Sequence, residues 1–214
     1  MITIVGCNKG GAGKTTTAIN IAVGLALKGF DVCLVDADKQ RSTSRWIAER
    51  EEAEITPAIT LVEKLDNISQ TLRSLNGKFD HVIVDVAGRN SRELITGATV
   101  ADTIIAPHQC SQLDLDTMLE LQDQIIQLRD LNPDLKVYAY QTMATTNPLL
   151  CSKEREEFLQ FVSEVTEVTP LKSIGSFRKV YRDVIPSGLS VLESSNASAK
   201  SEVNALVSEV FNGA

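Results

Sequence analysis

Short apolar runs rich in β-branched residues alternate along this chain with longer stretches of helical periodicity. The runs Ile2–Gly6, Val32–Asp36, Thr60–Val62, His81–Asp85, Thr103–Ala106, Val137–Gln141 and about Leu171–Ile174 predict strands. The intervening periodicity predicts helices at Lys14–Lys28, Thr43–Glu52, Asn67–Leu75, Arg92–Ala101, Leu113–Leu131, Lys153–Val165, Arg178–Ile185 and Ala197–Phe211. Gly29 stands where a helix end needs a left-handed residue, and Asn132-Pro133 stops the long helix before it. Strand and helix taken in turn predict an α/β fold with a doubly wound, mostly parallel sheet flanked by helices. No repeat, low-complexity tract or linker interrupts it, so residues 1–214 are expected to form one domain. In open sheets of this kind ligands lie at the carboxyl ends of the strands.

The end of the first strand carries the most specific signal. It runs Lys9-Gly10-Gly11-Ala12-Gly13-Lys14-Thr15-Thr16 and leads straight into a helix. A strand, a glycine-rich turn and a helix make a phosphate-binding loop. Backbone N–H groups converge on the phosphates, Lys14 neutralises them, and the Thr15 hydroxyl ligates Mg²⁺. The strict G-x-x-x-x-G-K-[ST] pattern fails at its first glycine, where Asn8 stands. A second lysine, Lys9, follows instead. Lys14 already serves the phosphates of its own subunit, so Lys9 suits the nucleotide of a second subunit.

Two more strand ends are acidic. The second closes Val35-Asp36-Ala37-Asp38-Lys39-Gln40, and the fourth closes Val82-Ile83-Val84-Asp85-Val86-Ala87-Gly88. A carboxylate ending an apolar strand beside a phosphate loop holds Mg²⁺ through its water shell, and Asp85 is the better placed. Gly88 leaves its N–H free to approach the γ-phosphate. Asp36 and Asp38 share the turn after the second strand, where one assists the metal shell and the other orients the attacking water. The two histidines, His81 and His108, lie in no motif, so the chemistry points to phosphoryl transfer by positioning and charge neutralisation.

These motifs resemble the ParA family of deviant-Walker-A P-loop ATPases, and specifically its short plasmid-partition members without an N-terminal DNA-binding domain. Weaker similarity continues through Pro107–Leu113 and Phe177–Lys200. The family's usual proline after the second-strand aspartates is Lys39 here. The resemblance implies a Mg²⁺-dependent ATPase hydrolysing ATP to ADP and phosphate. Lys9 would cross a face-to-face, ATP-dependent homodimer to the partner's phosphates. Gly10, Gly11, Ala12, Gly13, Lys14, Thr15, Thr16 and Gly88 would surround the nucleotide. Asp38 would position the hydrolytic water, with Thr15, Asp36 and Asp85 in the metal shell. The segment after the fifth strand would close over the base, which makes Pro107 and Gln109 base contacts. Gln141, ending the next strand beside Thr142, is a further candidate from its position.

Composition and charge narrow the partners. The 214 residues are 43% hydrophobic, enough for a buried sheet, and the net charge of −7 announces no nucleic acid globally. Locally, residues 172–200 hold Lys172, Arg178, Lys179, Arg182 and Lys200 against Asp183 and Glu193. The family uses this region for non-specific double-stranded DNA, so Arg178, Lys179, Arg182 and Lys200 are the expected contacts. The implied cycle is DNA segregation, ended by a small centromere- or cargo-binding protein that stimulates hydrolysis. A MinD-like or other ParA-like ATPase positioning a protein assembly on a membrane or nucleoid is the alternative, but residues 202–211 are acidic where a membrane-bound one needs a basic amphipathic tail. A metabolic ligase of the same nucleotide fold would not need Lys9. Four cysteines without C-x-x-C spacing exclude a paired metal or disulfide framework, and an iron–sulfur reductase lacks its glycine-rich ligand context. No apolar stretch reaches membrane-spanning length and the first strand leaves no room for a signal peptide, so a cytoplasmic, nucleoid-associated location without membrane binding is expected.

Overall fold

A computed structural model describes residues 1–88 and 91–211, without the side chains of residues 112–115. The strands are β1 (Ile2–Val5), β2 (Val32–Ala37), β3 (Thr60–Glu63), β4 (His81–Val86), β5 (Thr103–His108), β6 (Lys136–Ala144) and β7 (Thr169–Ser176). The helices are α1 (Lys14–Leu27), α2 (Ser42–Glu52), α3 (Ser69–Asn76), α4 (Arg92–Ala98), α5 (Gln112–Arg129), α6 (Cys151–Val162), α7 (Val180–Asp183) and α8 (Ala197–Phe211). Two 3₁₀ turns, Ile185–Ser187 and Val191–Glu193, join α7 to α8.

The strands form one sheet in the order β3-β2-β4-β1-β5-β6-β7, and every pairing is parallel. Alternation along each strand divides the apolar side chains between two cores. Ile4, Cys33, Val35 and Val84 face the core built with α3, α4, α5 and α6, while Val5, Leu34 and Ile83 face the one built with α1, α2 and α8. The chain winds outward from β1 through β2 to β3, then returns to insert β4 beside β1. From β5 onward it builds the other half. The reversal therefore falls at β1, and the loop after β1 opens at the switch point where doubly wound folds bind ligands.

Two of the differences from expectation have a local cause in proline. The fifth strand runs through Pro107 to His108. The ladder between β1 and β5 ends with Val5 opposite Ile105 and the Gly6 N–H bond to the Ile105 carbonyl, so Pro107 lies past it, where its missing N–H costs nothing on that side. The helix expected over Arg178–Ile185 shrinks to the single turn of α7. Pro186 disfavours helical geometry at Ile185, and the chain continues as a 3₁₀ turn ending at left-handed Gly188.

Candidate functional site

The loop between β1 and α1 is a cradle of backbone groups. Gly11 and Gly13 have φ of 74° and 90°, which only glycine adopts cheaply. Gly13 is the N-cap of α1 and offers no side chain, and the first turn of α1 contains no acidic residue. The positive end of the helix is thus left for a ligand. Lys14, nearly buried, donates from Nζ to the Lys9 carbonyl at 2.6 Å. That carbonyl also accepts the Cys7 thiol at 3.6 Å. Gly88 lies against the same stretch: a Cβ there would stand 3.2 Å from the Lys9 carbonyl carbon and oxygen and 3.3 Å from the Gly10 nitrogen. Gln109 Nε2 donates to the Gly11 carbonyl, and buried Thr142 Oγ1 donates to the Ala12 carbonyl at 2.8 Å. The loop is shaped from the ends of β4, β5 and β6 at once.

The carboxylates of β2 and β4 lie side by side. Asp36 and Asp85 are register partners on adjacent strands, both almost fully buried. Thr15 Oγ1 donates to Asp85 Oδ2 at 2.7 Å, joining two of the three metal candidates. Asp85 Oδ1 is buried with no hydrogen-bond partner among the described residues. Burial pushes the Asp85 carboxyl up to about 6, against the pull of the Thr15 and Thr43 hydroxyls, and the Asp36 and Asp38 charges raise it further. An orphaned carboxylate oxygen beside a threonine hydroxyl is a hard oxygen donor set that fits Mg²⁺. Among the described residues no group of three or more His, Cys, Asp or Glu converges on a metal position.

The hydroxyls of α2 were not legible in the sequence. Thr43 Oγ1 donates to Asp85 Oδ2 at 2.7 Å, and Ser44 donates to Asp36 Oδ2 through both N–H, at 2.8 Å, and Oγ, at 2.6 Å. Arg41 at the N-cap makes no side-chain cap, so the Asp36 carboxylate caps α2 from the neighbouring strand. Asp36 Oδ1 accepts the Asp38 N–H as well. Asp38 itself is half-buried, folded into a turn in which its Oδ1 accepts the Gln40 N–H at 2.8 Å. It borders a cleft with Asp36, Arg41, Glu63 and Lys64.

The base contacts expected after β5 and β6 find a different arrangement. Gln141 is buried, its amide donating to Glu154 Oε1 and accepting from Arg155 Nη1, so both ends are spent inside the protein. Pro107 is a buried strand residue opposite Tyr140. A cavity of about 100 Å³ opens instead beside the phosphate loop, on the side of β6 and β7. Gly13, Thr16 and Thr17 form its floor, with Thr142, Met143 and Phe177 among its walls. Pro107, Gln109 and Gln141 do not line it. A register break in β6 between Gln141 and Ala144, with Met143 at φ 53°, turns the strand end toward this space.

Two of the five cations in the segment are paired within the fold. Arg178 Nε donates to Glu202 Oε1 at 2.8 Å, Lys179 pairs with Asp183 at 2.9 Å, and Arg182 lies 5.6 Å from the centre of the Phe177 ring. Glu202 also accepts the Tyr181 hydroxyl, while Glu209 accepts the Lys172 and Ser173 N–H groups. Both glutamates come from α8, beyond the window in which the positive excess was counted. Lys200 is half-buried on the same helix. The segment expected to contact DNA is therefore nearer to neutral than its linear composition implies.

Residues 2–169 match the model of the CobQ/CobB/MinD/ParA nucleotide binding domain. The chain belongs to this family. Within the CobQ/CobB/MinD/ParA family it is similar to the maintenance of carboxysome distribution protein A of Halothiobacillus neapolitanus, 30% identical over 207 residues that cover 95% of this chain and 93% of that one. Its fold is shared with apo McdA from Cyanothece (TM-score 0.75, 17% identity, 96% and 97% covered). It is shared too with a Borrelia burgdorferi plasmid partition protein bound to AMPPNP (TM-score 0.70, 19% identity, 96% of each chain). The doubly wound parallel sheet read from the sequence is thus the architecture of a family whose members are nucleotide-binding ATPases, among them ParA and MinD.

Proposed function

We propose that this protein is a Mg²⁺-dependent ATPase whose ATP-bound form is a face-to-face homodimer, positioning a DNA or protein cargo in the cytoplasm. The observation that carries the reading is the Thr15–Asp85 hydrogen bond beneath an uncapped phosphate loop, with Asp36 and Asp38 at the adjoining strand end. Lys14 would leave the Lys9 carbonyl for the β- and γ-phosphates, since among the described residues no acidic side chain pairs with it. Thr15, Asp85 and Asp36 would hold magnesium, which supplies charge neutralisation of the triphosphate when bound. Asp38 would orient the attacking water, and the Gly88 N–H would face the γ-phosphate. The base would enter the cavity bounded by Thr142, Met143 and Phe177, whose walls are mostly apolar.

Lys9 makes the dimer the switch. Two triphosphates facing each other repel unless cations stand between them, and each subunit contributes one Lys9. The dimer would ride non-specific double-stranded DNA through the Arg178–Lys200 region, and a small cargo-binding protein would release it by stimulating hydrolysis. This follows the pattern of relatives named for chromosome partitioning and carboxysome distribution. The MinD-like alternative draws less support from α8, where Glu209 and Phe211 are committed to β7 and to the His81 ring.

Sedimentation with and without ATP tests the reading. The expectation is a monomer without nucleotide, a dimer with ATP in Asp38→Ala, and a monomer that still binds nucleotide in Lys9→Ala. Lys14→Ala should lose nucleotide binding, and Asp38→Ala should hydrolyse at least about tenfold more slowly, about 1.4 kcal/mol of barrier. A dimer that ignores nucleotide overturns the switch. Binding to anionic vesicles but not to DNA would favour the membrane alternative.

A further inference from the structure

The hydroxyls that hold Asp36 and Asp85 are only as steady as the helix that carries them, and the far end of α2 is anchored in an unusual way. Arg50 is 2% exposed and uses all five of its N–H donors. Nε and Nη2 donate to the Pro57 carbonyl, Nη1 to the Gly188 carbonyl, and Nη1 and Nη2 form a fork onto Glu193 at 3.0 and 2.8 Å. One turn earlier, Trp46 Nε1 donates to the Leu189 carbonyl at 3.1 Å. Gly188 crosses α2 backbone to backbone, for a Cβ there would stand 2.4 Å from the Arg50 nitrogen.

The segment gripped by Arg50 is fixed in turn to the phosphate helix. Asn20, buried in α1, accepts the Ser190 hydroxyl and the Val191 N–H at 2.8 and 3.0 Å, and its own Nδ2 donates to the Thr16 carbonyl at 2.7 Å. The contacts close a ring. It runs from Thr15 to Asp85, through Thr43 along α2 to Arg50, on to Glu193 and Ser190, and back through Asn20 to the turn of α1 that holds Thr16.

We propose that the buried Arg50–Glu193 pair is a positioning device for the magnesium carboxylates, acting through the orientation of α2. The inference rests on the ATPase reading given above. Stability alone is a poor reason for the pair, because a buried ion pair is often matched or exceeded by apolar side chains of similar volume. An apolar contact would hold α2 against the sheet yet leave its rotation soft. Five directional bonds select one rotation, and that rotation aims Thr43 at Asp85 and Ser44 at Asp36. Lysine cannot substitute, since its ammonium lacks the planar fork.

The test uses the full chain as Arg50→Met/Glu193→Leu and as Glu193→Gln, with two readouts. In the nucleotide-free protein, amide hydrogen exchange at Asp38 and Ser44 should quicken by about tenfold or more, while the amides of Thr17–Leu25 in α1 keep their wild-type rates. In hydrolysis, the Mg²⁺ concentration for half-maximal rate should rise by about tenfold and kcat should fall, with nucleotide affinity measured in chelator unchanged. Arg50→Lys should reproduce the defect. A folded double variant with wild-type exchange at Asp38 and Ser44 and a wild-type Mg²⁺ midpoint overturns the proposal. Should the double variant not fold, Glu193→Gln decides by the same two readouts, as it keeps volume and one acceptor. Wild-type protein without Mg²⁺-dependent hydrolysis would remove the ATPase reading instead, leaving the exchange result to judge the brace.

Discussion

Asp85 is the residue where the site's energetics are most exposed to measurement. Its carboxyl is pushed up to about 6 by burial, so in the nucleotide-free protein it takes up a proton that the unfolded chain would release near 4. The folded state then binds more protons than the unfolded state between about pH 4 and pH 6, and this residue's contribution to stability falls as pH rises through that window. The full effect is on the order of 3 kcal/mol. Glu93 and Glu209 act in the opposite sense: burial raises them, but backbone N–H donors pull both below the usual range. The difference between wild type and Asp85→Asn isolates the aspartate. Thermal melting of the apo protein should show Asp85→Asn gaining on wild type as pH rises from about 4 to about 6, with a constant gap above it. Magnesium needs the ionised form, so its affinity in the nucleotide complex should fall as pH drops below about 6. A pH-independent gap would mean that Asp85 is ionised throughout. Lys14 and Thr15 were legible in the sequence because strand, loop and helix are contiguous there, and Asp85 because it closes an apolar strand. Thr43 and Ser44 were not, since only the packing of α2 on the sheet brings them to Asp85 and Asp36. The commitment of Gln141 to Glu154 and Arg155 was hidden in the same way.

At the scale of elements, the phosphate loop is shaped by what packs behind it. The end of β4 reaches Lys9 and Gly10 at Gly88, and the contacting atoms are backbone that cannot swing aside. Gly88→Ala should therefore displace the loop. Overpacking of this kind costs about 1–3 kcal/mol, and if all of it falls on the nucleotide-bound loop the loss in ATP affinity by titration calorimetry is about 5-fold to 150-fold. The sheet order should survive, because the strand pairing of β4 ends at Val86, before this contact. Wild-type affinity in Gly88→Ala would show that the loop relaxes freely. The strand starts and most helices were readable from hydrophobic pattern alone, as contiguous apolar runs fix which faces are buried. The cavity beside the loop was not. It arises where the irregular end of β6 meets Phe177, and neither a register break nor a left-handed methionine leaves a mark in periodicity.

For the whole molecule, the question is how a chain of net charge −7 would hold DNA. The fold answers part of it by matching Arg178 to Glu202 and Lys179 to Asp183, so one monomer offers fewer unpaired cations from this segment than a linear count implies. A linear charge count missed this because α8 returns Glu202 and Glu209 to β7 only in three dimensions. Weak binding by the monomer is therefore expected, and useful affinity would require the ATP dimer to bring two such segments onto one duplex. Phosphate contacts made this way are independent of sequence, and log affinity falls with log salt by about 0.9 for each phosphate neutralised. A salt series with the ATP-bound Asp38→Ala dimer should show that slope. Arg178→Gln/Arg182→Gln should flatten it and weaken binding equally for all sequences. Glu202→Gln should do the reverse, strengthening binding at low salt by releasing Arg178 from its partner. Affinity unchanged in both variants would remove this face from DNA binding and send the search to another surface of the dimer.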